Sequence, residues 1–216
     1  MTTPPPLTAE APAGAAGPAR PARPTRLVRP AGRAHPVPPA GEPLCDEPGP
    51  GAARCLGLYA KLAAGVSVVT ARGEDGPVGM TVSAVTSVSA RPPLLLACLR
   101  EGSRTLAAIR EHGVFGVHLL REEQHELAAR FASPAVTAAG RFAGTEPAEV
   151  LGVPVLPGVL AWSVCLLEDV RGYGDHQVVV GRLAAVHVGG GRPLLWHDRT
   201  FRSLGERTLP APDSTA

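Results

Sequence analysis

Residues 78–93 read VGMTVSAVTSVSARPP and run straight into LLLACL at 94–99. No charge occurs over the thirteen residues from Val78 to Ala90, and small hydroxylated side chains alternate with valines. An ordinary half-buried strand carries larger branched or aromatic residues on its inner face. A strand this small and this neutral reads as backbone that something flat can approach closely. Arg91 and the double proline then end the ladder, because proline lacks the N–H a central strand needs. The apolar run Leu94–Leu99 that follows reads as a buried strand.

Working outward, Val66–Ala71 (VSVVTA) is β-branched and strand-like, and RGEDGP at 72–77 supplies a turn. Arg54–Ala63 offers a short helix with apolar positions at Leu58 and Leu62, stopped by Gly65. Ser103-Arg104-Thr105 opens a helix to His112, with Ser103 as N-cap and a terminus whose unpaired N–H groups can receive an anion. Val114–Leu120 is a further strand, and Glu122–Phe131 an amphipathic helix with acids in its first turn and Arg130 in its last. Residues 132–157 are loop-rich. Strands resume at Val159–Glu168, Gln177–Val188 and Pro193–His197. About six strands, three short helices and no strand–helix alternation predict a mainly β chain closed as an antiparallel barrel, not a doubly wound sheet. Gly189-Gly190-Gly191 lies between two strands and reads as a hairpin turn, not as a dinucleotide fingerprint.

Composition narrows the function classes. The chain has 216 residues, 21 basic against 19 acidic, and its only lysine is Lys61. That balance gives no concentrated positive surface for nucleic acid or an anionic membrane. Fourteen of the 24 prolines fall within residues 1–54, a stretch without apolar periodicity that reads as a disordered or polyproline-like arm. Residues 55–209 suit one domain with a real core, and 210–216 read as a disordered tail. The longest apolar run, Pro92–Leu99, is too short to span a bilayer, and the N-terminus lacks a continuous apolar signal core. The expectation is a soluble, cytoplasmic protein. Cys98 and Cys165 sit in apolar runs and read as buried small hydrophobes.

Among residues able to carry chemistry, His118, His125 and Glu122 lack metal-ligand spacing, and no metal is expected. Ser83, Ser163 and Ser203 lack a nucleophile motif, and Glu122-Glu123 and Glu168-Asp169 read as element ends. His176 has a distinctive setting, Gly172-Tyr173-Gly174-Asp175-His176, in which two glycines permit unusual backbone angles and close ligand approach. On the residues alone, both a plain turn before a strand and a ligand-facing histidine remain open, the turn being the favoured of the two.

LAAGVSVVTA, GMTVSAVTSVSARPPLLLACL, SRTL, FGVHLL, AARF, and GDHQVVVGRL followed by PLLW together resemble the flavin reductase family, from about residue 56 to 204. That family has the FMN-binding split barrel fold, antiparallel and Greek-key, and includes the reductase components of two-component monooxygenases. The resemblance implies that Thr81, Val82, Ser83 and Ala84 line the isoalloxazine ring, and that Thr86, Ser87, Val88 and Ser89 continue toward the ribityl chain. It implies that Ser103 and Thr105 approach the flavin phosphate, that Arg130 and Phe131 edge the pocket, and that Gly174, Asp175 and His176 meet the nicotinamide nucleotide. Many relatives have Asn where Ser83 stands and Phe where Leu62 stands, which bears on the ring hydrogen bond and on packing behind the flavin. No role transfers to the arm.

The implied activity is hydride transfer from NADH or NADPH to FMN or FAD, with His176 orienting the nicotinamide. The implied partners are a second copy of the chain in a homodimer and a flavin-dependent monooxygenase or halogenase that receives reduced flavin. The same barrel also serves flavin-dependent oxidases and non-catalytic flavin or haem modules; nicotinamide consumption without an organic substrate separates the first, and flavin binding without nicotinamide oxidation marks the second.

Overall fold

A computed structural model describes residues 51–205. Residues 1–50 of the arm read over 1–54, and residues 206–216, which include the tail read over 210–216, lie outside the described residues. The first helix, α1 (Ala52–Ala60), begins inside the stretch assigned to the arm. It buries no residue, and Leu58 and Leu62 are both exposed. The helix read over Arg54–Ala63 thus begins two residues earlier and ends three residues earlier, with its apolar positions exposed among the described residues.

Twelve strands follow among the described residues: β1 (Ala64–Gly65), β2 (Ser67–Gly73), β3 (Gly76–Val82), β4 (Val85–Ala90), β5 (Pro93–Arg100), β6 (Val114–Leu119), β7 (Ala148–Val150), β8 (Val153–Val155), β9 (Ala161–Tyr173), β10 (His176–Val188), β11 (Leu194–His197) and β12 (Thr200–Ser203). The helices between them are α2 (Arg104–His112), a 3₁₀ turn (Glu122–Gln124), α3 (His125–Ala132) and α4 (Ala138–Phe142). Seven strands form one antiparallel sheet in the order β3-β2-β6-β9-β10-β5-β4.

The opening stretch decides how this sheet closes. β3 and β4 occupy opposite edges, yet only Ser83 and Ala84 separate them. Three Cα steps span at most about 11 Å, whereas six inter-strand gaps laid flat need about 29 Å. The sheet must therefore curl until its edges meet at Ser83-Ala84, and Cys98 N donating to Ala84 O (2.9 Å) pins that corner. The run Val78–Ala90 is thus two strands on opposite edges of a barrel.

β2 is buried on both faces and divides the core. Val69 and Ala71 join Leu99, Phe115, Val117 and the α2 residues Leu106 and Ile109 in one cluster. Val66 and Val68 join Leu120, Phe131, Phe142 and Leu194 in the other. Alternate side chains of one strand feed two cores because successive Cβ atoms point to opposite faces.

Several expectations are corrected. The helix read over Glu122–Phe131 is a 3₁₀ turn followed by α3, since Gln124 turns back to accept from Arg121 N (2.9 Å). Residues 132–157 hold α4, β7 and β8. Gly189–Gly191 is no hairpin: β11 pairs with β1 and β12, so the glycines carry the chain from one sheet to another. Gly189 N donates to Leu160 O at 2.9 Å, an approach a side chain would obstruct. Cys165 is buried, as read, and burial raises its thiol pKa, but Cys98 is half-buried. Among the described residues no helix is long and apolar enough to cross a membrane.

Candidate functional site

β3 supplies the floor of a cleft of about 550 Å³ whose walls are the start of α2, the end of α3 and α4. Gly79 lies on this floor because any Cβ there would stand 2.8 Å from the Phe131 ring and 3.1 Å from Val69 O. Phe131 is fully buried and meets Phe142 edge to face, with ring centroids 5.0 Å apart. Thr81 Oγ1 donates to Ala128 O (2.6 Å), tying α3 to the strand. Arg141 crosses from α4 and donates to Gly79 O (2.7 Å) and Ser133 O (2.8 Å).

One end of the cleft is built to receive an anion. Ser103 caps α2, its Oγ accepting from Leu106 N (3.3 Å), and Thr105 is buried in the first turn. Arg100 and Arg104 flank that terminus and line the cleft, and neither guanidinium donates a hydrogen bond within the described chain. Arg141 Nε, also on the lining, is buried without a partner. Two arginines that donate no hydrogen bond within the described chain, beside the first turn of a capped helix, match the charge and geometry of a phosphate.

The Gly174-Asp175-His176 sequence stands beside this end. Tyr173 and His176 pair across a two-residue hairpin, and Gly174, at φ 61°, occupies the first central position of a type II′ turn. Glu101 N donates to Asp175 O (3.0 Å), anchoring the turn to the link that leads into α2. His176 lies directly opposite Arg100 in register, one strand from the cleft lining. Its Nδ1 is 2.7 Å from Asp175 Oδ1. The His176 imidazole, with a smaller contribution from Arg100, holds the Asp175 carboxyl below the usual carboxylate range. A carboxylate fixed on Nδ1 orients the ring and leaves Nε2 for a ligand.

The residues named from sequence thus separate into groups. Thr81, Ser103, Thr105 and Phe131 line the cleft, and Gly174, Asp175 and His176 adjoin it through Arg100. Ser83 and Ala84 are exposed at the corner just past Thr81. The Val82 side chain points into the core and cannot line a ring, while Arg130 lies off the cleft and donates to Ala143 O (2.9 Å). Thr86, Ser87, Val88 and Ser89 run away along β4: Ser89 pairs with Leu94, about 20 Å of strand from Arg100. Ser89 Oγ accepts from Arg91 N (3.1 Å). Sequence reading missed Arg100, Arg104 and Arg141; two arginines around a helix cap in LREGSRT were the available signal for the first pair. His118 is remote from this chemistry, buried with Nδ1 donating to Val68 O (3.0 Å), and His125 is exposed on α3.

A cleft with a cationic phosphate end, a small-residue corner and an oriented imidazole fits a flavin mononucleotide moiety met by a nicotinamide. The comparisons agree. The chain is 44% identical over 140 residues to a flavin reductase (NADH) of Kitasatospora aureofaciens, covering 64% of this chain and 71% of that one. It is 38% identical over 151 residues to the reductase subunit HsaB of a flavin-dependent monooxygenase from Rhodococcus jostii, covering 68% and 76%. The structure superposes on BorF, the flavin reductase component of a bacterial two-component tryptophan halogenase, with a TM-score of 0.66 at 34% identity, covering 72% of this chain and 99% of that one. The profile of the flavin reductase like domain matches residues 59–205, and this chain belongs to that family.

Proposed function

We propose that the protein is an NAD(P)H:flavin oxidoreductase that supplies reduced FMN or FAD to a separate oxygenase or halogenase. The observation that carries this is the pair Arg100 and Arg104 around the capped start of α2, with the Asp175–His176 pair next to it. A bound flavin supplies the two-electron acceptor for the nicotinamide. Arg100, Arg104 and the first N–H groups of α2 hold its phosphate, and the exposed backbone at Ser83-Ala84 meets the polar edge of its ring. Asp175 holds the His176 imidazole in one orientation, and that imidazole orients the nicotinamide nucleotide. Thr81 and Phe131 act through position, fixing α3 over the cleft. The cleft is open and the ribityl-side segment exposed, as suits a flavin that must leave to reach its user.

We also propose a homodimer, on the strength of two free strand edges. β4 pairs only with β5, and Leu183–Val188 of β10 extends beyond β5, so both present an unpaired edge among the described residues. Val88 and Val188 are 50% and 77% exposed there. A second copy covering this edge would enclose Thr86, Ser87 and Val88, which a single chain leaves in solvent. The nicotinamide pool that serves such an enzyme places it in the cytoplasm.

Replacing His176 with Ala tests the assignment through steady-state NADH oxidation with FMN and with FAD. Loss of one orienting hydrogen bond raises the NADH KM or lowers turnover by roughly tenfold, while the flavin Kd stays put. An unchanged KM and turnover would remove His176 from the site.

A further inference from the structure

The geometry points to a second subsite, for an adenylate group, and with it a preference for FAD over FMN. This rests on the flavin reading above. The cleft does not end at Arg104. A second cavity, of about 600 Å³, continues along β3 toward the β2–β3 turn and shares Val78, Arg104 and Ala138 with the first. Its volume falls in the roughly 300–1,000 Å³ range of small-ligand sites. Floor and walls are common to both: β3 below, α2 on one side, α4 on the other.

The two cavities differ in chemistry along this groove. The first is cationic, lined by Arg100, Arg104 and Arg141. The second is walled by small apolar side chains, Ala107, Ala108, Ala139 and Ala143, with Phe142 between them, and Arg104 is its only cation. Arg104, Ala107, Ala108 and Glu111 follow helical spacing, so one face of α2 presents a cation, a flat alanine surface and a carboxylate in sequence. Glu74 and Asp75 add two carboxylates from the β2–β3 turn.

A phosphate has no place among three carboxylates, but a nucleoside does. Carboxylates accept from ribose hydroxyls, and a purine needs a flat apolar slot. Arg104, the cation common to both cavities, stands where a pyrophosphate would pass from one to the other. The order phosphate end, shared arginine, apolar slot, carboxylates is that of FAD read outward from its flavin. The adenylate of a nicotinamide dinucleotide is the other source of this group. Its nicotinamide must lie toward His176, which stands opposite Arg100, whereas Arg100 does not line the second cavity.

The test is the ratio of FMN to FAD dissociation constants for the full chain, measured by flavin fluorescence quenching, with AMP as competitor. The wild-type protein binds FAD at least about tenfold tighter than FMN, a difference of about 1.4 kcal/mol, and AMP displaces FAD but not FMN. Ala107→Trp fills the slot from the α2 side and brings the ratio to near one. Ala139→Trp does the same from the α4 side, and both alanines are exposed, so neither indole enters the core. A wild-type ratio near one, or a ratio unmoved by both variants, overturns the inference. A raised NADH KM with an unmoved ratio assigns the adenylate to the dinucleotide and likewise overturns the FAD preference. Failure of the wild-type chain to bind either flavin would instead defeat the flavin reading itself.

Discussion

β3 and β4 are both edge strands of one sheet, separated by two residues and built from similar small, uncharged side chains, yet they have opposite fates. β3 is roofed by α3 and α4, and becomes the floor of a cleft. β4 is bare, with Thr86, Ser87, Val88 and Ala90 all exposed. An open edge invites pairing with another chain unless something covers it. Here one edge is covered by this chain's own helices, and the other is exposed among the described residues. The difference lies in what surrounds each strand: Phe131 fits over Gly79, and no helix follows β4 closely enough to fold back over it.

The sharpest way to break the contrast is to remove the cover. Phe131→Ala deletes a fully buried ring from the α3–β3 contact and destabilises the fold by about 3–5 kcal/mol, read as a lowered urea midpoint with unchanged slope. A loss below about 1 kcal/mol would mean that α3 is not what closes the cleft.

Acid loosens the same side of the barrel. His118 is buried on β6, beside β2, and burial lowers its pKa to about 4 from 6.5. The unfolded chain binds a proton more readily than the folded one between those values. Stability is therefore full above pH 6.5 and falls as the pH drops toward 4, by at most about 3 kcal/mol from this group. Urea unfolding at pH 7 and pH 4.5 measures the drop, and His118→Gln flattens it. A pH dependence identical in the variant would assign the acid sensitivity elsewhere.

The bare edge gives the smallest effect on a single chain's stability. Val88→Asp changes it by only roughly 0.5 kcal/mol, because the side chain is half-exposed. The same charge placed in a dimer seam separates the subunits, and sedimentation would report the monomer mass. A dimer that survives Val88→Asp would put the interface on another face.

Much of this was legible in the residues. The Ser103 cap and the glycine-flanked turn at Gly174-Asp175 follow from local chemistry, whereas the strand read over Val159–Glu168 runs on to Tyr173, so Glu168 and Asp169 are not an element end. Other features were not. Gly189–Gly191 resembles a hairpin turn until strand partners are known, and the helix with apolar positions at Leu58 and Leu62 leaves both exposed. Arg141 sits in a stretch that reads as loop, yet it crosses the sequence by 62 residues to hold Gly79.

The sequence by itself determined the kinds of elements, the neutral small-residue strand and the family it signals, because helix caps, turns and alternation depend on neighbours within a few positions. Only the tertiary structure decided that this strand splits across opposite edges, that Arg100 and Arg104 converge on one cleft, and that the cleft continues past Arg104. Those are consequences of closing a seven-stranded sheet through a two-residue link, a constraint that acts on the whole sheet and on no single stretch of it.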